Sequence, residues 1–282
     1  MRPASFEYVR TGSLGEALEA LAEPGAVALA GGQTLVNLMR QRVVRPRVVV
    51  DLSRLSGLNE VRIEGGRLIV GALARLGSLA ELDLVRTACP ALAQAAAAVG
   101  DPQVRNRATI AGNLCHPLPI SDIAPVLLAS DGSLLVRSRS SQREVPATEF
   151  FAPPLGSGLR SGELIVEVRF ARLDSASAYE RLSRRVADPA IAGAAAFVRV
   201  VDARVEDVAV ALSAVHEVPI LVPQIDAIRG GPFDPNAARA VLESFCGRLS
   251  PPSNPHAGAD YRRRVAVVVA LRALARAAGH SS

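Results

Sequence analysis

Leu29-Ala30-Gly31-Gly32-Gln33-Thr34-Leu35-Val36 is the stretch on which the fold turns. A short apolar run at 27–30 feeds straight into paired glycines, and an apolar-periodic segment opens behind Thr34. Glycine permits the sharp turn and lets successive backbone N–H groups converge on one point. A helix beginning there adds unsatisfied donors and the positive end of its dipole. Such a turn suits phosphate, and it would serve equally as a plain strand-to-helix turn. It is not a G-x-G-x-x-G fingerprint, and no acid sits about 20 residues on in a strand-helix-strand frame.

Working outward, Ser13 and Glu16 make a capping box for a helix over 14–22, with Leu14, Leu18 and Leu21 on one face. The glycine turn follows the strand at 27–30, Thr34 caps a helix over 35–41, and Val48-Val49-Val50-Asp51 is the next buried strand. From residue 56 the period changes. Val61-Arg62-Ile63 and 67–71 alternate about Gly65-Gly66, as in a tight hairpin. Helices are expected at 78–84, 90–99 and 122–129, a second hairpin at 133–139 and 142–146 with its charges on a solvated edge, a loop over 152–158 and a strand at 164–170. Beyond residue 175, segments 179–185, 191–201 and 208–215 fit a three-stranded antiparallel sheet, covered by amphipathic helices over 235–245 and 260–277. The expected class is α+β, with subdomains at 1–55, 56–174 and 175–282 in one body.

Composition narrows the chemistry. All 32 basic residues are arginine, which excludes a Schiff-base lysine, a Walker-A lysine or any catalytic ammonium. The net charge of +5 comes with neither a basic stripe nor stacking aromatics, so nucleic acid is not an expected partner. No apolar run approaches the roughly 20 residues of a membrane span, and residues 1–10 hold no signal-like apolar core. A soluble, cytoplasmic protein is expected. Cys89, Cys115 and Cys246 are too few and too scattered for a disulfide framework or a cluster, and the four histidines show no H-x-x-x-H or H-x-H spacing. Chemistry here needs a cofactor brought in.

Thr109-Ile110-Ala111-Gly112-Asn113-Leu114 is the second glycine-centred segment, with Asp122 downstream. A hydroxyl, a glycine and an amide supply donors for anionic oxygens, and the carboxylate can accept from ribose hydroxyls. A capped turn at 109–113 and a helix N-cap at Asp122 are the other readings of the same residues.

Together the two segments carry a resemblance. Ala30-Gly31-Gly32-Gln33-Thr34-Leu35, followed by Arg45-Pro46 and Val49-Val50-Asp51-Leu52, resembles the first flavin motif of the FAD-binding medium subunits of molybdenum hydroxylases. That family includes carbon monoxide dehydrogenases and the FAD domain of xanthine dehydrogenases, on the vanillyl-alcohol-oxidase (PCMH) type FAD fold. Thr109–Leu114 with Ser121-Asp122-Ile123-Ala124-Pro125 resembles the second motif, and Gly162-Glu163-Leu164-Ile165, Tyr179–Arg185 and Tyr261-Arg262-Arg263-Arg264 resemble later landmarks. The likeness runs in order over nearly the whole chain.

The resemblance implies roles. Leu29, Ala30, Gly31, Gly32, Gln33, Thr34, Leu35 and Val36 would line the FAD pyrophosphate, and Thr109, Ile110, Ala111, Gly112 and Asn113 would hold it from the other side. Asp122 would meet the adenosine ribose, Ile165 would pack near the adenine, and Arg181 would stand where many relatives place a lysine near the flavin. Asp188-Pro189 takes the place of an apolar or aromatic residue against the ring, and Pro117-Leu118 that of a small polar pair. His116 reads as a polar loop residue, or alternatively as a base or a covalent anchor. The wider fold's covalent histidine lies in the glycine turn, where this chain has Gln33, so FAD is expected to be non-covalent. Arg184 and Arg185 with Asp188 form a candidate charge cluster for electron acceptors, and Arg262, Arg263 and Arg264 are expected to pair with acids or face solvent. No catalytic residue and no metal ligand is expected in this chain. The implied function is an FAD subunit taking electrons from an iron–sulfur small subunit, beside a molybdopterin large subunit, and passing them to NAD, quinone or oxygen. The rival is a stand-alone flavoenzyme acting directly on a small molecule. A third reading is an assembly partner with structural FAD or none.

Overall fold

The structure is a computed structural model describing residues 2–116, 118–153 and 158–279. Pro117, part of the 152–158 loop and His280 lie outside the described residues. In the first sheet β1 (Glu7–Arg10), β2 (Ala26–Leu29) and β3 (Val48–Asp51) run parallel in the order β1-β3-β2. β3 is central and buried throughout, which its Val-Val-Val run requires. The helix Leu14–Leu21 crosses from β1 to β2. Ser13 Oγ accepts from the Glu16 N–H at 3.3 Å, and the Glu16 carboxylate accepts from Gly12 N at 2.9 Å, so the capping box closes one residue early.

The second sheet is antiparallel, in the order β4 (Val61–Glu64), β5 (Arg67–Gly71), β8 (Leu164–Phe170), β6 (Ser133–Arg137), β7 (Gln142–Pro146). Period-two alternation sends Leu68, Val70, Leu134, Val136, Val168 and Phe170 into the main core. The opposite face carries a lattice of ion pairs, Arg62–Glu167 at 2.8 Å, Arg169–Glu167 and Arg169–Glu144 at 2.7 Å, and Arg67–Glu144 at 2.6 Å. The helix expected over 78–84 is two helices, Leu76–Glu81 and Asp83–Ala88, because Leu82 between them is extended at φ −68°, ψ 119°.

The third sheet has four antiparallel strands rather than three: β9 (Ala176–Leu182), β10 (Ala192–Val201), β11 (Arg204–Ser213) and the two-residue β12 (Ile220–Leu221). A two-residue strand between Pro219 and Pro223 carries no readable period. Both faces of this sheet are covered. Tyr179, Ala195, Phe197, Ala209 and Ala211 join the main core, while Ala178, Ala194, Ala196, Val208 and Val210 pack under the helices Pro235–Gly247 and Ala259–Ala277. Small side chains on β10 let both layers approach closely. The edge strand β9 is covered by the Ala-rich helix Pro90–Ala98. Gln94 Oε1 accepts from Tyr179 N at 2.8 Å, and Ser177 Oγ accepts from Ala91 N at 3.2 Å. That docking fixes where Tyr179 and its same-face neighbour Arg181 emerge.

Candidate functional site

At the end of β2 the chain turns through Gly31 and Gly32 into the helix Leu35–Arg40. Gly32 sits at φ +74°, the left-handed region open to glycine. Gly31 is needed for a different reason. A Cβ there would lie 2.2 Å from the carbonyl oxygen of Arg107 and 2.9 Å from Ala108 Cα. The two motifs therefore touch backbone to backbone, just ahead of Thr109. The second segment is held from behind as well, with Ile110 N donating to Ala74 O at 3.0 Å and Leu76 N to Ala108 O at 3.0 Å. Thr109 Oγ1 caps its own helix, Ile110–Leu114, by accepting from Gly112 N at 3.2 Å. Thr34 does not behave as expected. It occupies the N-cap position with φ −99°, ψ −55° and makes no side-chain cap bond, so no hydroxyl covers the first N–H groups of its helix.

Around this contact lies a cleft of about 550 Å³, within the range of small-molecule and cofactor sites. Ala30, Gly31, Gly32, Gln33, Thr34 and Leu35 line it, together with Thr109, Gly112, Asn113, Asp122 and Arg181. Ala28, Leu38, Val99 and Val104 give it an apolar stretch of wall, which sequence reading did not single out. Leu29 and Val36 instead line an adjoining cavity of about 590 Å³ that also touches the glycine turn. There Tyr8 Oη donates to Asp51, and Arg10 Nε meets the same carboxylate at 3.1 Å.

Three expected contacts fall elsewhere. Ile110 is fully buried and Ala111 packs against the main core, so neither side chain belongs to the cleft lining. Ile165 is also in that core, 2% exposed. A bulge between Leu135 and Val136 shifts the register of β6 on β8, so that Val136 pairs with Ile165 and this side chain turns inward with Val168 and Phe170. Its side chain is thus in the core rather than in the cleft wall.

Asp122 is the larger departure. It stands at the N-cap of the helix Ile123–Ala129 without capping it. Ser121 does that work, its Oγ accepting from Ala124 N at 3.0 Å and donating to Asn113 Oδ1 at 2.6 Å. The Asp122 carboxylate is buried and faces inward, where Tyr179 Oη donates to Oδ1 and Arg181 Nη1 donates to Oδ2 at 3.1 Å. Each oxygen takes one protein donor, and Asp122 is at the same time part of the cleft lining. Burial pushes the Asp122 carboxyl up, against the pull of the Arg181 guanidinium and the Tyr179 hydroxyl. Burial, with Asp122 alongside, also raises the Tyr179 phenol well above its ordinary range. Arg181 lines the cleft as expected, yet it is paired with Asp122 and its Nη2 donates to Val186 O. Tyr179 and Ser121 were missed. The readable signal was that Tyr179 and Arg181 are two apart on one strand and so share a face.

His116 lines the cleft, its Nδ1 accepting from Leu118 N at 3.1 Å, and burial lowers its pKa toward the neutral imidazole. Asp188 and Pro189 also line it, with Asp188 3.7 Å from Arg184. Arg262, expected to meet acids or solvent, is buried instead. Its Nη1 donates to Ile191 O at 2.6 Å and Ala214 O at 3.1 Å, and burial lowers its pKa. It ties the last helix to the ends of β10 and β11, and Ala214 N in turn donates to Pro119 O at 2.8 Å in the loop beside the cleft. Arg263 does pair with an acid, Asp260.

A turn where no Cβ fits, an uncapped helix start and amide donors across from them suit a pyrophosphate, and the apolar wall suits a flat aromatic group. The residues present fit FAD. The family model for the FAD binding domain in molybdopterin dehydrogenase matches residues 4–172, and that for the CO dehydrogenase flavoprotein C-terminal domain matches 177–277. The chain belongs to the FAD-binding subunit family of the molybdopterin dehydrogenases. Relatives of this family match end to end. The glyceraldehyde dehydrogenase medium chain of Sulfolobus acidocaldarius is 31% identical over 97% of this chain and 98% of its own. Caffeine dehydrogenase subunit beta of Pseudomonas sp. strain CBB1 is 33% identical over 99% and 96%. Among solved structures, the carbon monoxide dehydrogenase of Hydrogenophaga pseudoflava lacking the Mo-pyranopterin moiety superposes with a TM-score of 0.93 at 31% identity, over 99% of both chains. Among the described residues no group of three or more His, Cys, Asp or Glu is placed to hold a metal, and no helix is long and apolar enough to cross a membrane.

Proposed function

We propose that this chain is the electron-transfer subunit of a molybdenum hydroxylase complex. It carries non-covalent FAD, receives electrons from an iron–sulfur small subunit, stands beside a molybdopterin large subunit and passes electrons to NAD, quinone or oxygen. One observation carries the reading: Gly31 against Arg107 brings both glycine-centred segments to one cleft. When bound, FAD supplies a two-electron store that can be filled and emptied in separate steps. The chain's own residues bind and orient. The Gly31–Thr34 turn and the start of the helix Leu35–Arg40 would offer N–H groups and a dipole to the pyrophosphate. Asn113, its Oδ1 occupied by Ser121, is fixed in orientation across from them. Residues 187–189 complete the cleft wall, with Asp188 held 3.7 Å from Arg184.

End-to-end likeness to proteins named as medium chains and subunits supports the complex over a stand-alone flavoenzyme. The test is purification of the tagged chain expressed with its neighbouring genes. A yellow complex containing FAD, an iron–sulfur subunit and a molybdopterin subunit is expected, with the isolated chain yellow but unable to hydroxylate. A chain that binds no flavin, or that turns over a small molecule alone, overturns the reading.

A further inference from the structure

Arg181 is the one arginine that both lines the cleft and forms a buried ion pair among the described residues, with side chains of 10% and 6% exposure for Arg181 and Asp122. Tyr179 Oη donates to one carboxylate oxygen and Arg181 Nη1 to the other. With both oxygens accepting, the carboxyl has the bonding pattern of the ionised form. Its second guanidinium nitrogen, Nη2, is spent on the Val186 carbonyl, which sets the rotamer. Asp188, also in the cleft lining, lies 3.7 Å from Arg184, whose half-exposed side chain stands outside that lining.

Resting on the FAD reading above, we infer that Asp122 is the built-in counter-ion of Arg181, so that the bound flavin faces a neutral, oriented ion pair and not a free cation. Tyr179 is the positioning residue that fixes the carboxylate. The arrangement has a functional consequence. A free cation beside a flavin favours the electron-rich reduced form and raises its potential, whereas a paired one contributes only the difference between two nearby opposite charges. A fixed guanidinium with a buried partner thus keeps the shape of a cationic wall while cancelling its charge. The flavin potential is thereby kept below the value an unpaired cation would impose.

The test is the midpoint potential and the dissociation constant of FAD in the purified chain, for wild type, Asp122→Asn, Arg181→Gln and the double variant. Asp122→Asn keeps the shape and removes the negative charge, and it is expected to favour reduced over oxidised flavin by about tenfold or more, or about 30 mV for a two-electron couple. Arg181→Gln leaves Asp122 buried without a cation, so the carboxyl takes up a proton and the wall stays neutral. Its potential is expected within about twofold of wild type in the equilibrium constant, as is that of the double variant. A large fall in potential for Arg181→Gln, with no change for Asp122→Asn, shows an uncompensated cation and overturns the inference. If Asp122→Asn does not fold, Arg181→Gln alone decides between the two. Wild type that fails to bind FAD defeats the functional reading itself, a result distinct from bound flavin whose potential ignores Asp122.

Discussion

The α-carbon of Gly31 packs so closely on Arg107 that a Cβ added to it would lie 2.2 Å from the Arg107 carbonyl oxygen. Two segments far apart in sequence meet there with no side chain between them, and the cleft opens beside the contact. Gly31→Ala must push backbone against backbone. It is expected to cost about 3 kcal/mol and to empty the flavin site. Gly32→Ala meets the φ +74° conformation and two side-chain ends, Val36 Cγ2 at 3.2 Å and Leu29 Cδ1 at 3.4 Å, for about 1–2 kcal/mol. Denaturant melts and flavin absorbance on both variants check the order; equal losses would show that the backbone contact has no special weight.

Arg262 is the buried cation of the C-terminal part, bonded to two carbonyls, Ile191 O and Ala214 O. Arg262→Ala leaves those acceptors without their donor and opens a void, for an expected loss of about 3 kcal/mol. The exposed neighbour Arg264 serves as control, and Arg264→Ala is expected to change stability by less than about 0.5 kcal/mol. Urea midpoints of the two variants decide it.

Of the three cysteines, Cys89 and Cys246 are buried and Cys115 is an exposed residue of the cleft lining, yet burial pushes all three thiols up, Cys89 and Cys115 to about 12 and Cys246 to about 11. A maleimide is therefore expected to react slowly with the native chain, at Cys115 first because that residue opens on the cleft, and saturation with FAD is expected to slow it further. Peptide mapping with and without FAD gives the answer. Rapid labelling of Cys89, or no protection of Cys115, would contradict this placement.

Glu163 accepts from Arg143 at 2.7 Å, and the guanidinium holds its carboxyl below the usual carboxylate range. Glu144 is held low by the Ser133 hydroxyl first, with Arg67 and Arg169 adding to it. Depressed folded-state values stabilise the fold above the unfolded carboxylate range, and that stability is lost as pH falls through the folded values. The melting temperature is expected to be flat near neutrality and to fall below about pH 4. Glu163→Gln should cost about 2 kcal/mol at pH 7 and converge with wild type in acid. Parallel melting curves at every pH would refute the assignment.

Local rules made much of this legible. Gly31-Gly32 behind an apolar run announced a turn, Ser13 with Glu16 announced a helix start, and alternation about Gly65-Gly66 announced a hairpin. Each depends on neighbours within a few residues. Ile165 shares the inward face with Val168 because the pairing of β8 with β6 skips Val166, and the sequence of β8 alone does not announce that bulge. The two-residue β12 was likewise invisible.

By itself the sequence determined most of the longer strands and helices, the two glycine-centred segments, the family likeness and the absence of any lysine for the flavin site. Backbone conformation and side-chain periodicity are set by adjacent residues, and residue types can simply be counted. Tertiary structure alone decided what the charged side chains do. Asp122 and Tyr179 are 57 residues apart, Arg262 and Ile191 are 71 apart, and only packing brings them together and strips them of water. The Asp122 carboxylate is found ion-paired with Arg181, and an arginine that reads as surface becomes a buried anchor. Burial fixes the cost of leaving each charge unpaired, and burial is a property of the whole fold.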